Sequence, residues 1–560
     1  EGSGELQSIQ IKGRQALNRA IHGDTVVIVL NDREEQAIGK KSEENDNDEP
    51  IVQTALIVAD EADNLQVDST KPSGKVISIL KRNWKAYCGS IDRKGIRSDA
   101  SVQNVMFCPM DRRVPRIRIR TRQANELASQ RVLVTIDGWD CRSKYPHGHL
   151  VRQLGQVGDR ATETEAILLE HDVAHAEWTP QVLACLPTAG PDWTWTDEDM
   201  VNRADFRHLD VCSIDPPGCT DIDDALHAIR LPNGNFEVGV HIADVTHFVA
   251  PNTPLDTEAA ARGTTVYLVD RRIDMLPSLL GTNLCSLKSD VDRFAFSCIW
   301  EVTPSAEIVS TRFTKSIIRS KASFTYDQAQ ARLDTPETTE EDTLTRSIRI
   351  LNGLAHILKT RRVEAGALTL ASPEVRFQLD QETQNPVDVQ LKEMKEANSL
   401  VEEFMLLANI SVAKQLYENF PDTSILRRHP APPGENFDAL NRALAERNPD
   451  WQLDVSSSKT LALSLDRAAD PTDPYLNKLV RIMTTRCMLQ AQYFASGTQP
   501  YAGFWHYGLA CPIYTHFTSP IRRYADVLVH RLLHASIDPS RRGSSINWDK
   551  TRGEDLCHST

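Results

Sequence analysis

Four aspartates fall within ten positions of the stretch SIDPPGCTDIDDALH: Asp215, Asp221, Asp223 and Asp224. Cys212, Ile214 and Ile222 interleave with them, and EVGVHIADV follows in the alternating pattern of a strand. Pro216, Pro217 and Gly218 forbid a helix: proline holds φ, the residue before proline is pushed extended, and glycine opens a turn. Asp215 therefore ends one extended segment, and the turn brings the other three carboxylates back beside it. Carboxylates that close repel strongly in a medium of low dielectric, and a hard divalent cation is the usual remedy. Oxygen-only ligation points to Mg²⁺ or Mn²⁺ rather than zinc, because no Cys/His set at ligand spacing lies nearby. The plainer alternatives are a solvated turn and a calcium loop. The mid-loop glycine and closing glutamate of an EF-hand are missing, and the apolar neighbours argue against a surface turn. Carboxylates on buried strand ends are costly, which points to function.

Three further stretches contain candidate chemistry. HFTSPIRRYADVLVHR, His516 to Arg531, is expected to open with a Ser-Pro turn and continue as an amphipathic helix starting at Pro520. Arg522 and Arg523 would then occupy the first turn, against the helix dipole, so that either an anion holds them or they form a solvated pair. The segment from Gly263 to Leu287 reads as mostly irregular, and its aromatic, Tyr267, suits either base stacking or the core. Glu402 and Glu403 head an apolar helix, where adjacent positions diverge, so at most one faces a site. His241 and His247 read as ordinary core histidines or as residues behind a site.

The elements that must position these residues form a multidomain chain. At 560 residues it exceeds one core, and 40% hydrophobic with 25% charged residues is ordinary for a globular protein. No apolar run of about 18 residues suggests a membrane span, and no signal-peptide pattern opens the chain. Eleven scattered cysteines read as reduced thiols of an intracellular protein. A formal charge of −14 argues against nonspecific coating of nucleic acid, though not against threading a strand through a locally basic channel. Residues 1–75 alternate as strands around an acidic run, SEENDNDEP, and 76–159 do so again with glycine-marked turns. Both fit small OB or cold-shock β-barrels, the first partial. In RIRIR the period of two gathers Arg116, Arg118 and Arg120 on one face, either for a phosphate backbone, with Trp84 and Tyr87 near in sequence, or as a solvated edge. A connector over 160–205 leads to a large mixed α/β region over 206–536, and 537–560 form a polar tail.

SIDPPGCTDIDDALH, AARGTTVYLVDRRIDMLPSLLGTNLCSL, NSLVEEFMLLANISVA and HFTSPIRRYADVLVHR, in that order, resemble the RNB catalytic domain of the ribonuclease II/R family. The resemblance is closest to the family's eukaryotic exosome branch, and the two barrels are similar to its paired cold-shock domains. It implies an Mg²⁺-dependent, processive hydrolysis of single-stranded RNA from the 3′ end to nucleoside 5′-monophosphates. It implies that Asp215, Asp221, Asp223 and Asp224 are metal-binding and catalytic. It also implies that Tyr267 stacks on the terminal base, that Glu402 contacts the terminal ribose and that Arg522 contacts the scissile phosphate. Two metals would activate a water and steady the leaving oxygen, and a glutamate on the 2′-OH would favour RNA over DNA. The partners implied are single-stranded RNA and the exosome core subunits, in nucleus and nucleolus and also cytoplasm. Against the family pattern, the PIN endonuclease domain, the C-terminal OB-type domain and the end of the catalytic domain look absent, so the chain reads as a fragment. Two alternatives stand beside this: a catalytically inactive RNB-fold regulator, which intact acids disfavour, and an exosome-independent cytoplasmic paralogue.

Overall fold

A computed structural model describes residues 9–31, 72–94, 96–97, 102–336, 341–370, 375–379, 386–391, 394–473, 475–538, 553, 554 and 557. The acidic run and the strand-like IVQTALIVAD lie outside these residues, as does nearly all of the tail beyond Asp538. The chain forms two compact units that divide between His175 and Ala176.

In the first unit, β1 (Thr25–Leu30) pairs antiparallel with β2 (Gly74–Lys81). The boundary expected at 75/76 thus falls inside β2, whose ladder bonds run to β1. Next, β3 (Ala86–Ile91), β4 (Gln103–Pro109), β5 (Ile117–Thr121), β6 (Gln130–Gly138) and β7 (His147–Gln156) close a barrel in the order β3-β4-β5-β7-β6. Along β5, Ile117 and Ile119 are buried with Phe107, Val132 and Val134, while Arg118 and Arg120 stand exposed. Closure requires Gly148, where a Cβ would meet the Thr135 carbonyl oxygen at 1.9 Å. The helix α1 (Arg160–Glu170), capped by Asp159 accepting from the Thr162 N–H at 3.0 Å, packs on β3, and its Glu170 accepts from the Cys88 N–H at 2.9 Å. These bonds tie α1 to the barrel rather than to the connector expected from residue 160.

The second unit is built on a seven-stranded sheet ordered β16-β9-β10-β11-β14-β15-β8. Its strands are β8 (Ala204–Asp205), β9 (Cys212–Asp215), β10 (Asp224–Arg230), β11 (Phe236–Ala243), β14 (Asp292–Val302), β15 (Ile308–Arg319) and β16 (Ala322–Thr325). Between β11 and β14 come helix α2 (Pro254–Arg262) and a short hairpin, β12 (Val266–Tyr267) with β13 (Arg272–Ile273). Strand β14 is buried continuously from Phe294 to Trp300, as expected of a strand covered on both faces. After β16 follow α3 (Tyr326–Asp334), α4 (Thr343–Glu364), a ribbon of β17 (Val375–Leu379) and β18 (Pro386–Leu391), and α5 (Glu396–Asn419). Helix α4 packs on β10, and α5 packs on α4 and β11. β19 (Ile425–Arg428) leads to a satellite core of α6 (Asp438–Arg447), α7 (Ser458–Arg467) and α8 (Leu476–Cys487), centred on Phe437, Leu461 and Leu465. β20 (Gln492–Ala495) pairs with β19, and α9 (Tyr524–Ile537) closes the described unit against α5. No helix among the described residues is long and apolar enough to cross a membrane.

Candidate active site

The sheet delivers Asp215 and Asp224 to neighbouring strand ends. Asp215 ends β9, where the parallel partner β16 sets Thr325 beside it, and Asp224 opens β10, opposite Ile242 of β11. The intervening loop turns at Gly218, whose φ of +79° is open to glycine. It is then stitched down: the Ile222 N–H donates to Ser286 Oγ at 3.1 Å, and that hydroxyl donates to the Thr220 carbonyl at 2.9 Å. Asp223 is only 5% exposed. Its Oδ1 accepts from the Ile521 N–H at 3.0 Å, and Arg522 Nε lies 3.4 Å from its Oδ2. Asp221 takes Arg272 Nη1 at 2.5 Å and the Tyr267 hydroxyl at 3.2 Å.

Burial dominates the electrostatics. Desolvation pushes Asp215 up to about 6 and Asp223 up to about 7, the latter in spite of Arg522 and the Ile521 N–H. Asp224 is raised well above the ordinary carboxylate range by burial and by Asp215 and Asp223. Asp215 Oδ2 is buried with no hydrogen-bond partner. A desolvated group of hard oxygen donors with one orphaned acceptor fits a hard divalent cation in its chemistry. The geometry departs from the expected ready-made ligand set: among the described residues, no three His, Cys, Asp or Glu side chains are arranged to hold a metal ion. The physical reason is visible in the partners: Asp221 and Asp223 turn toward Arg272, Arg522 and the Ile521 N–H.

The expected Ser-Pro turn is present, the Ser519 carbonyl accepting from the Arg522 and Arg523 N–H groups at 3.3 and 3.1 Å, but it does not run on into the helix, because Arg523 is extended. Helix α9 starts at Tyr524, so Arg522 and Arg523 precede it, and every residue from Tyr524 to Leu533 is buried, so the helix is not amphipathic. The anion sought for the pair is present twice. Arg523 makes two bonds to Asp526, at 2.7 and 2.8 Å, and Arg522, its side chain 43% exposed, faces Asp223 and donates to Ser519 Oγ at 3.0 Å. The Arg522 carbonyl accepts from the Thr265 N–H at 3.0 Å and Thr264 Oγ1 at 2.8 Å, which binds this loop to the segment bearing Tyr267. A buried triad anchors both: Asp256 of α2 accepts from Arg531 at 2.6 Å and from the Tyr524 hydroxyl at 2.8 Å.

Tyr267 is 56% exposed, which rules out the core placement. Glu403 is buried against Arg362, whereas Glu402 is exposed and meets Arg362 Nη2 at 3.0 Å. The structure therefore joins Asp215, Asp221, Asp223, Asp224, Tyr267 and Arg522 by direct contacts or neighbouring charge, with Glu402 on α5 one helical turn beyond Asn398. Arg116, Arg118 and Arg120 belong to the first unit, where they are exposed, with Arg116 3.5 Å from Asp92. Tyr87, a suggested neighbour for that face, is a core residue at 3% exposure.

A family model described as the RNB domain matches residues 203–539, and another, the Dis3-like cold-shock domain 2, matches residues 104–172. The chain belongs to the RNB family. It is 52% identical to the human exosome complex exonuclease RRP44 over 99% of its own length and 57% of that protein's, so it spans little more than half of this relative. Its fold resembles that of RNase R from Mycoplasma genitalium (TM-score 0.74, 23% identical, 97% of this chain and 78% of that one). It equally resembles yeast Ssd1, described as a pseudonuclease (TM-score 0.76, 22% identical, 100% and 69%).

Sequence reasoning passed over two residues of the RNB site. Arg272 sits opposite Tyr267 in the β12–β13 hairpin and holds both Asp221 and Asp274. Tyr326 follows Thr325, the residue beside Asp215; burial, Asp224 and Asp215 raise its hydroxyl pKa, and it bonds Asn398 of α5. Arg272 was legible as part of an Arg pair near Tyr267. Tyr326 had no local signal, since only the parallel β16–β9 pairing brings it in.

Proposed function

We propose that the chain is the catalytic core of a metal-dependent exoribonuclease that hydrolyses single-stranded RNA from its 3′ end to nucleoside 5′-monophosphates. The supporting observation is the contact between the aspartate loop and the loop after Pro520, Asp223 Oδ1 with the Ile521 N–H and Oδ2 with Arg522, made across a buried floor. Fold likeness alone does not decide this, because one neighbour of the same fold is described as a pseudonuclease. The intact four carboxylates with a facing arginine favour the enzyme.

Asp215, Asp221, Asp223 and Asp224 would hold Mg²⁺ or Mn²⁺, and the bound cation supplies an activated water and charge stabilisation at the phosphate. The chain's own residues do the rest. Arg522, half-exposed and fixed through Ser519, meets the charge that builds on the phosphorus oxygens. The exposed Tyr267 ring offers a stacking face blind to base identity, and its hydroxyl fixes it to Asp221. Glu402, braced by Arg362, can accept from a ribose 2′-OH, which DNA lacks. Processive action with exosome core subunits, in the nucleus and nucleolus and also the cytoplasm, belongs to the same proposal. It draws on the human relative's name, exosome complex exonuclease.

The test uses 5′-labelled single-stranded RNA and its DNA counterpart, with Mg²⁺ or EDTA. A ladder shortening from the 3′ end only with RNA and metal supports the proposal. Tight RNA binding without cleavage under any divalent ion would move the reading to the inactive RNB-fold regulator.

A further inference from the structure

One half-buried cation near the site has no counter-ion. Arg427, in β19, has neither a carboxylate nor a hydrogen-bond partner for its guanidinium among the described residues. Its contact is the face of Tyr493, its cross-strand partner in β20, 4.7 Å from the ring centroid. Two neighbouring guanidiniums have carboxylates, Arg523 on Asp526 and Arg522 facing Asp223, while Arg428 reaches the amides of Gln492 and Gln499, each at 3.3 Å, with its Nε buried and unpartnered. A guanidinium partly withdrawn from water with no anion is costly, which implies that its anion arrives from outside the chain.

Its position says which anion. The Arg427 N–H donates to the Tyr514 carbonyl at 2.8 Å, and the Tyr493 hydroxyl meets His516 Nδ1 at 2.5 Å. His516 begins the same loop whose Ser519 hydroxyl holds Arg522. Arg427 therefore stands, in the β19–β20 ribbon, against the segment that leads into the loop presenting Arg522. The local field is positive: burial first, then Arg523, Arg427 and Arg522, hold the His516 imidazole far below its ordinary range, so it stays neutral and adds no competing cation. Two residues along, the His429 N–H bonds the carbonyl of Trp505, whose side chain belongs to a 42% exposed residue. A stacked guanidinium with an exposed indole nearby is the makeup of a single-strand nucleic-acid track.

We propose that Arg427 binds a backbone phosphate of the RNA strand, on the 5′ side of the phosphate taken by Arg522. The assignment rests on the exoribonuclease reading, which places the 3′ end at the aspartates and so leaves the β19–β20 side to the upstream strand. Stacking on Tyr493 pre-orients the planar fork for two phosphate oxygens, which a lysine cannot reproduce.

The test measures binding of fluorescein-labelled single-stranded oligouridylate to the whole chain over a KCl series, for wild type, Arg427→Met and Arg427→Lys, with melting curves for each. Arg427→Met is expected to weaken binding roughly tenfold at low salt. It should also flatten the slope of log Kobs against log salt by about 0.7, the value for one lost phosphate contact on a single strand. Arg427→Lys should restore the slope. In turnover, Arg427→Met should raise KM and leave kcat nearly unchanged. An unchanged slope overturns the proposal whether or not wild type cleaves; a lowered Tm with that unchanged slope identifies Arg427 as a brace between β19 and β20. A flattened slope alongside a wild type that never cleaves keeps the phosphate contact and rejects the exoribonuclease reading instead.

Discussion

The aspartate loop and the arginine strand are both runs of like charge, and the fold treats them oppositely. Asp223 is 5% exposed and Asp215 has an orphaned buried oxygen, whereas Arg118 and Arg120 of β5 stand in water over buried isoleucines. Burying like charges weakens the fold by raising carboxylate pKa values, so such a cluster persists only under another demand. An exposed row of arginines costs almost nothing, so its presence is compatible with a phosphate track and with a plain solvated face. The same kind of sequence signal is therefore strong evidence in one place and weak in the other.

The comparison is most sharply tested at Asp223. Asp223→Asn keeps an acceptor for the Ile521 N–H and deletes a charge from a desolvated site. Cleavage in single-turnover assays should fall by roughly a thousandfold, with RNA affinity retained. The Tm should stay level or rise, because a disfavoured charge is gone. A large loss of Tm would mean that the charge is structural, and the contrast with the arginines would collapse.

Next in size is the buried anchor. Arg531→Met leaves Asp256 buried without its cation and should destabilise the second unit by about 3–5 kcal/mol, read from thermal or urea melts. Adding Asp256→Asn should recover part of that loss.

The pH dependence has two limbs of opposite sign. His530 and His506 are buried, with values lowered to about 4 and about 3 from the ordinary 6.5. The unfolded chain thus binds more protons than the fold, and stability is lost as pH falls from about 6.5 toward 4. Asp215 and Asp223 run the other way. Raised to about 6 and about 7, they keep protons in the fold that the unfolded chain releases, so their contribution weakens as pH rises from about 4 to 7. The two limbs overlap between about pH 4 and 6.5 and oppose each other, so melting curves should be nearly level across that window, and Mg²⁺ should raise Tm more at pH 8 than at pH 5. Equal Mg²⁺ shifts at both values would remove the carboxylates from the cation site.

The smallest effect concerns the other run. Arg118→Ala with Arg120→Ala should lower the salt slope of RNA binding by about 0.7 per contact if the strand is a phosphate track. No change in slope would assign β5 to solvent and leave RNA binding to the second unit.

Much of the site was legible because its signals are local. The Pro-Pro-Gly turn, the clustered acids and the Ser-Pro-Ile-Arg-Arg run are contiguous, and the alternation in β5 predicted its exposed arginines by period alone. Helix starts were less legible: Pro520 reads as a first-turn proline, yet α9 begins at Tyr524, because Arg523 is extended, at φ −137° and ψ 124°, where its guanidinium reaches Asp526. The boundary near residue 160 was misplaced because α1 looks like any amphipathic connector until Glu170 is seen capping Cys88.

From the sequence alone followed the four-carboxylate loop and, through its ordered motifs, the family to which the chain belongs, since residue type and short spacing carry both. The tertiary structure decided which groups oppose those charges. Arg272 on Asp221, Tyr326 beside Asp215 and the unmatched Arg427 on Tyr493 come from pairings of strands far apart in the chain. Burial, which raises Asp215, Asp223 and Asp224, is a property of the packed whole and has no local code.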